Sequence, residues 1–117
     1  MEHRILVLDD EEDICLLLTS ILKRLGHEVT CSHTIYEGKL RFISFNPDVM
    51  FMDISLPDGN GLEEVSAFRQ LNPKVHIIMV SAYDFPQEIK RTEQLNLSFI
   101  RKPFNREKIL QAIQQFN

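Results

Sequence analysis

Short apolar runs alternate with helical stripes along the whole chain. The first run, Ile5-Leu6-Val7-Leu8, ends at Asp9-Asp10. Ile14, Leu17, Leu18, Ile21, Leu22 and Leu25 follow at spacings of three and four, which predicts an amphipathic helix. Acidic residues from Asp10 to Asp13 crowd its start, where the helix dipole favours them, and Gly26 suits its end. A short strand is expected around Glu28 to Cys31. Thr34 with Glu37 three residues on reads as a capping box opening a second helix, which runs to about Phe45 before Asn46-Pro47-Asp48 breaks it.

Val49-Met50-Phe51-Met52 is a wholly apolar strand that ends at Asp53, and Pro57 to Gly61 reads as a loop. Leu62, Val65 and Phe68 mark a third helix, stopped near Asn72-Pro73. Val75 to Val80 forms a fourth strand ending at Ser81-Ala82. Asp84 can cap a fourth helix over about 85–95, with Pro86 in its first turn, where proline is tolerated. This helix has few apolar residues beyond Ile89 and Leu95. Leu97 to Arg101 is a fifth strand before Lys102-Pro103, and Asn105 can cap a last helix with the stripe Ile109, Ala112, Ile113 and Phe116.

Strands that are apolar throughout are buried on both faces. With helices between them they imply a doubly wound, five-stranded parallel sheet of the α/β class, (βα)5. Residues 1–117 fit one domain, with no repeat and no Pro/Gly/Ser-rich linker. A net charge of -4 argues against nucleic acid or an anionic membrane as a direct partner. No stretch of about 18 apolar residues suggests a membrane span, and the first residues lack the order of a signal peptide, so a cytoplasmic location is expected. Cys15 and Cys31 form no CxxC motif and are expected to be reduced and packed. His3, His27, His33 and His76 show no i,i+4 ligand pair for zinc.

In doubly wound folds ligands gather outside the carboxyl ends of the strands. Those ends carry Asp9 and Asp10, Asp53, Ser81 and Lys102. Three carboxylates in one pocket repel each other, and a hard divalent cation such as Mg²⁺ resolves this. A lysine adds a point charge for phosphate oxygens and a serine hydroxyl adds a donor. Together these groups can stabilise a transferring phosphoryl group. Singly, each has a plainer reading as a cap, a loop serine or a solvated lysine. The ordered set is what points to chemistry.

The chain resembles the receiver domain of two-component response regulators over essentially its whole length. The resemblance rests on Arg4 to Glu11, Pro47 to Asp53, Leu56 to Glu63, Val80-Ser81-Ala82 and Lys102-Pro103-Phe104. It implies a flavodoxin-like receiver fold and a phosphorylation-dependent signalling switch. Asp53 would be the phosphoacceptor, drawing on a sensor histidine kinase or histidine phosphotransfer protein in a phosphorelay. Asp10 would bind Mg²⁺ directly, Asp9 through water, and Ser55 through its backbone carbonyl. Ser81 would hydrogen-bond the phosphoryl group and Lys102 would pair with it, with the Lys102-Pro103 bond cis.

Phe99 would be the switch aromatic, standing where tyrosine is frequent, so that its inward state rests on packing alone. Ser55 and Tyr83 would tune the lifetime of the phosphoryl group. The face of the fourth helix, fifth strand and fifth helix would meet a downstream effector, and could also meet a second copy as a homodimer. Its weak helix is expected to shift most on activation, with Gln94-Leu95-Asn96-Leu97 standing where a Gly-Ala-type turn is usual. The domain would not be an enzyme beyond self-catalysed phosphoryl transfer and autodephosphorylation.

Three rivals remain. An aspartyl-phosphate phosphatase carries Asp-x-Asp after its first strand, whereas here Asp53 precedes Ile54-Ser55. A nucleotide-binding module lacks support, because Gly59-Asn60-Gly61 is neither GxGxxG nor a P-loop. A receiver-like interaction domain that is never phosphorylated would not need the complete acidic set.

Overall fold

The structure is a computed structural model and describes residues 2–82 and 85–116. The sheet strands are β1 (Arg4–Leu8), β2 (Glu28–Ser32), β3 (Val49–Asp53), β4 (His76–Ser81) and β5 (Ser98–Arg101). The helices are α1 (Glu12–Arg24), α2 (Ile35–Phe45), α3 (Gly61–Leu71), α4 (Pro86–Gln94) and α5 (Arg106–Gln114). All sheet pairings are parallel, in the order β2-β1-β3-β4-β5. The chain turns back at β1 and then runs outward through β3, so a crevice opens at the carboxyl ends of β1 and β3.

Alternate residues of each strand feed two cores. Ile5, Val7, Val49, Phe51, Ile78 and Val80 face Leu18, Leu22, Ile109 and Ile113 of α1 and α5. Leu6, Leu8, Met50, Met52, Ile77 and Met79 face Ile35, Phe42, Leu62, Val65 and Phe68 of α2 and α3. This two-sided burial is why the strands read as unbroken apolar runs. α4 differs: Thr92 is its one buried residue among those described.

Several termini form as the sequence predicts. Gly26 takes φ of 95° after α1, Asn46 adopts the left-handed region after α2, and the Asn105 side chain accepts the Lys108 amide. Thr34 Oγ1 accepts the Glu37 amide at 3.1 Å, forming the Thr34 half of the expected box. Asn96, with φ of 56°, serves at the turn where the resemblance led one to expect glycine. Its short polar side chain tolerates that region. The Asp84 cap lies outside the described residues; α4 begins at Pro86 after Phe85.

The segment read as a loop after β3 is more ordered than expected. Ser55–Leu56 and Gly59–Asn60 pair in a two-residue antiparallel ladder, and Asn60 caps α3 by accepting the Leu62 amide at 2.8 Å. Asp58 at its tip accepts the Ile35 amide at 2.8 Å and the Tyr36 amide at 3.1 Å, fastening the hairpin to the start of α2. Gly61 then passes so close to β3 that a Cβ would overlap the Asp53 carbonyl.

Candidate phosphoacceptor site

The carboxyl ends of β1, β3, β4 and β5 converge on a cleft of about 190 Å³. Asp10, Glu11, Asp53, Ser55, Ser81, Ala82 and Lys102 line it. Asp9 lies behind this rim, buried, while Asp10 beside it is exposed. Adjacent residues leaving a strand point to opposite sides, so one faces the core and the other the solvent.

Asp53 is held at both oxygens. Its Oδ1 accepts the Ser55 amide at 3.1 Å and its Oδ2 accepts from Lys102 Nζ at 3.0 Å. The Lys102 ammonium also stands 2.9 Å from Asp9 Oδ2 and 3.4 Å from Glu11 Oε1. The Asp9 contact is one of charge rather than a directed hydrogen bond, and Asp9 Oδ2 is a buried oxygen without a hydrogen-bond partner. Asp9 Oδ1 accepts the Glu11 amide at 2.9 Å. The Lys102 backbone is anchored by its amide, which donates to the Ser81 carbonyl at 2.7 Å, and the Lys102-Pro103 bond is cis.

Burial pushes the Asp53 carboxyl above its ordinary range, the Lys102 hydrogen bond draws it back, and the charge of Asp9 adds to the rise. Asp9 is likewise raised by burial against the pull of Lys102. Burial opposes the Lys102 ammonium too, but the two carboxylates outweigh it and hold its pKa above normal. One cation thus serves more negative charge than it neutralises.

Carboxylate oxygens of Asp9, Asp10 and Asp53 all lie within 4.8 Å of one another. Three hard oxygen donors, one lacking a hydrogen bond, fit the preference of Mg²⁺ for oxygen ligands and a net negative site.

The structure therefore gathers Asp9, Asp10, Asp53, Ser55, Ser81 and Lys102. Phe99 stands apart: it is half-buried on β5, packed with Leu95 and Leu97 against the α2–α3 core. Tyr83 lies outside the described residues. Sequence reasoning missed Glu11, whose place beside Asp9-Asp10 was the available signal, and Asp58, whose partners are 22 and 23 residues away.

The sequence model of the response regulator receiver domain matches residues 5–114, and the chain belongs to that family. The chemotaxis protein CheY of Bacillus subtilis (strain 168) is 30% identical over 115 residues, covering 97% of this chain and 96% of that protein. The alkaline phosphatase synthesis transcriptional regulatory protein PhoP of the same organism is 32% identical over 108 residues. That match covers 90% of this chain but 44% of PhoP. Among solved structures, a CheY-like receiver domain protein from Methanospirillum hungatei JF-1 superposes with a TM-score of 0.91 at 28% identity. It covers 99% of this chain and 94% of that one. Members of the family are signalling domains of two-component systems and generally bind Mg²⁺ at an acidic pocket. No helix among the described residues is long and apolar enough to cross a membrane.

Proposed function

We propose that residues 1–117 act as one phosphorylation switch in which Asp53 accepts a phosphoryl group from a phosphohistidine. The donor is a sensor histidine kinase or a histidine phosphotransfer protein. The observation that carries this reading is the grip on Asp53: one oxygen on Lys102, the other on the Ser55 amide, at the floor of an open acidic cleft. An Asp53 oxygen attacks phosphorus, the new P–O bond forms, and the P–N bond to the donor histidine breaks.

Asp9, Asp10, Asp53 and the Ser55 carbonyl would hold Mg²⁺, which when bound supplies positive charge against the phosphoryl oxygens. Lys102 exchanges its contact with Asp9 Oδ2 for a phosphoryl oxygen. The Ser81 hydroxyl donates a further hydrogen bond. The added charge, about -1.5 to -2, draws both groups inward.

Readout runs to Phe99 and α4, which has little apolar burial to hold it, and so to an effector on the face of α4, β5 and α5. Hydrogen exchange that is unchanged in α4 between the apo and phosphorylated states would overturn that route. Turnover of a separate substrate, as in an aspartyl-phosphate phosphatase, finds no second carboxylate two residues beyond Asp53. Tyr83, two residues past Ser81, would slow hydrolysis of the phosphoryl group.

The deciding experiment is labelling by a small acyl phosphate with and without Mg²⁺, for the wild type and Asp53→Ala. Loss of labelling in the variant, and on chelation, is expected. Undiminished labelling of Asp53→Ala would remove the assignment.

A further inference from the structure

Helix α2 is covered on one side only. Ile35, Gly38 and Phe42 are buried, whereas Tyr36, Leu40 and Ile43 are 70%, 55% and 66% exposed. Their spacing of four and then three residues places all three in one line on the outer face. Three large apolar side chains aligned in water mark an interaction surface rather than scattered exposure. The phosphoacceptor cleft uses none of them.

The flanks of this line differ. Lys39 on one side is paired with Glu64 of α3 at 2.5 Å. Glu37 and Arg41, both exposed and one turn apart, share the other side, where Arg41 Nη1 also reaches Thr30 Oγ1 of β2 at 3.0 Å. An acid and a base four residues apart, beside an apolar line centred on Leu40, form a self-complementary pattern.

We propose that the outer face of α2 is a self-association surface whose occupant is α2 of a second copy, packed antiparallel about a two-fold axis near Leu40. Such an axis reverses the helix direction but keeps each flank on its own side. Leu40 then meets Leu40, Tyr36 of one copy meets Ile43 of the other, and Glu37 faces Arg41 twice. The contact is isologous, so it closes as a dimer. Three apolar anchors per copy fall short of a standard interface, so the dimer is weak and its population follows concentration. This surface is separate from the face of α4, β5 and α5 and does not depend on the phosphoacceptor reading.

The test is sedimentation equilibrium of the chain from about 10 µM to about 1 mM, the range in which a weak dimer assembles. The mean mass is expected to climb from monomer toward dimer. Leu40→Glu, which sets two like charges face to face, is expected to weaken association by about a hundredfold. Glu37→Arg and Arg41→Glu are each expected to weaken it by roughly threefold to tenfold, and the double swap E37R/R41E to restore it. Circular dichroism checks that each variant is folded, and Ile43→Ser replaces Leu40→Glu should the latter unfold. A mass fixed at monomer, a dimer indifferent to both apolar-line variants, or a double swap no tighter than the single ones overturns the proposal.

Discussion

The two ends of the sheet both bury ionisable groups but treat them in opposite ways. At the amino end, Asp48 Oδ1 accepts the Arg4 amide at 2.7 Å and its Oδ2 lies 2.9 Å from His3 Nδ1. The His3 amide donates to His27 Nδ1 at 2.9 Å, and the two rings stack 5.3 Å apart. The Asp48 backbone joins in, with its amide on the Arg4 carbonyl and its carbonyl on the His76 amide, both at 2.9 Å. Donors and acceptors match, and the cluster ties the starts of β1, β3 and β4 together. At the carboxyl end, Lys102 stands among Asp9, Glu11 and Asp53, and Asp9 Oδ2 lacks a hydrogen bond. Satisfied polar groups fasten a fold, while an unbalanced charged set is tolerated where chemistry needs it.

The sharpest way to break this contrast is Asp48→Ala, which strips partners from the Arg4 amide and the buried His3 ring. A loss of about 2–3 kcal/mol in urea unfolding is expected, from hydrogen bonds to a charged acceptor. A loss below a few tenths would mean that the amino end does not fasten the sheet.

Asp53→Asn tests the opposite end and carries the opposite sign. Removing one of the crowded carboxylates leaves Lys102 to Asp9, and a gain of about 1 kcal/mol near pH 7 is expected. The pH dependence agrees. Asp9 and Asp53 titrate above their ordinary 3.8, so the folded chain keeps protons that the unfolded chain has released. Their contribution to stability is full below that value and is lost as pH rises through the folded values. His27 is depressed below its ordinary 6.5, first by burial and then by His3, so its contribution is present above that value and is lost as pH falls through the folded one. Urea midpoints measured from pH 4 to 8 should show a shallower decline toward neutral pH in Asp53→Asn than in the wild type. Equal slopes would contradict the charge crowding.

The smallest effect is expected in the helix that rises beyond the carboxyl end. Ile89→Ala in α4 should cost about 0.5 kcal/mol, because Ile89 is only half-buried. Ile109→Ala in α5, where the side chain is wholly buried, should cost about 3 kcal/mol. Similar costs at the two positions would remove the case for a soft α4.

Much of this architecture can be read along the chain, because local rules decide it. The run from Val49 to Asp53 declares a strand buried on both faces, and Thr34 and Asn105 declare helix starts through amides three residues away. The strand ends likewise name the site residues, since a doubly wound sheet leaves them little other place to go. The hairpin at Ser55–Asn60 is less legible, since four paired residues carry no periodicity. The bulky side chain at Phe99 indicates a strand position but not which way an aromatic at a sheet edge leans.

By itself, then, the sequence determined the order of elements, the two-faced sheet and the convergence of Asp9, Asp10, Asp53, Ser81 and Lys102 at one edge. Tertiary structure alone decided that Asp9 is buried while Asp10 is exposed, that Lys102 bridges Asp9 and Asp53, and that Asp58 fastens α2. It also left Tyr36, Leu40 and Ile43 facing outward. The physical reason is range: hydrogen bonds and charge contacts act over a few ångströms, and strand order alone brings Lys102 that close to Asp53, 49 residues away.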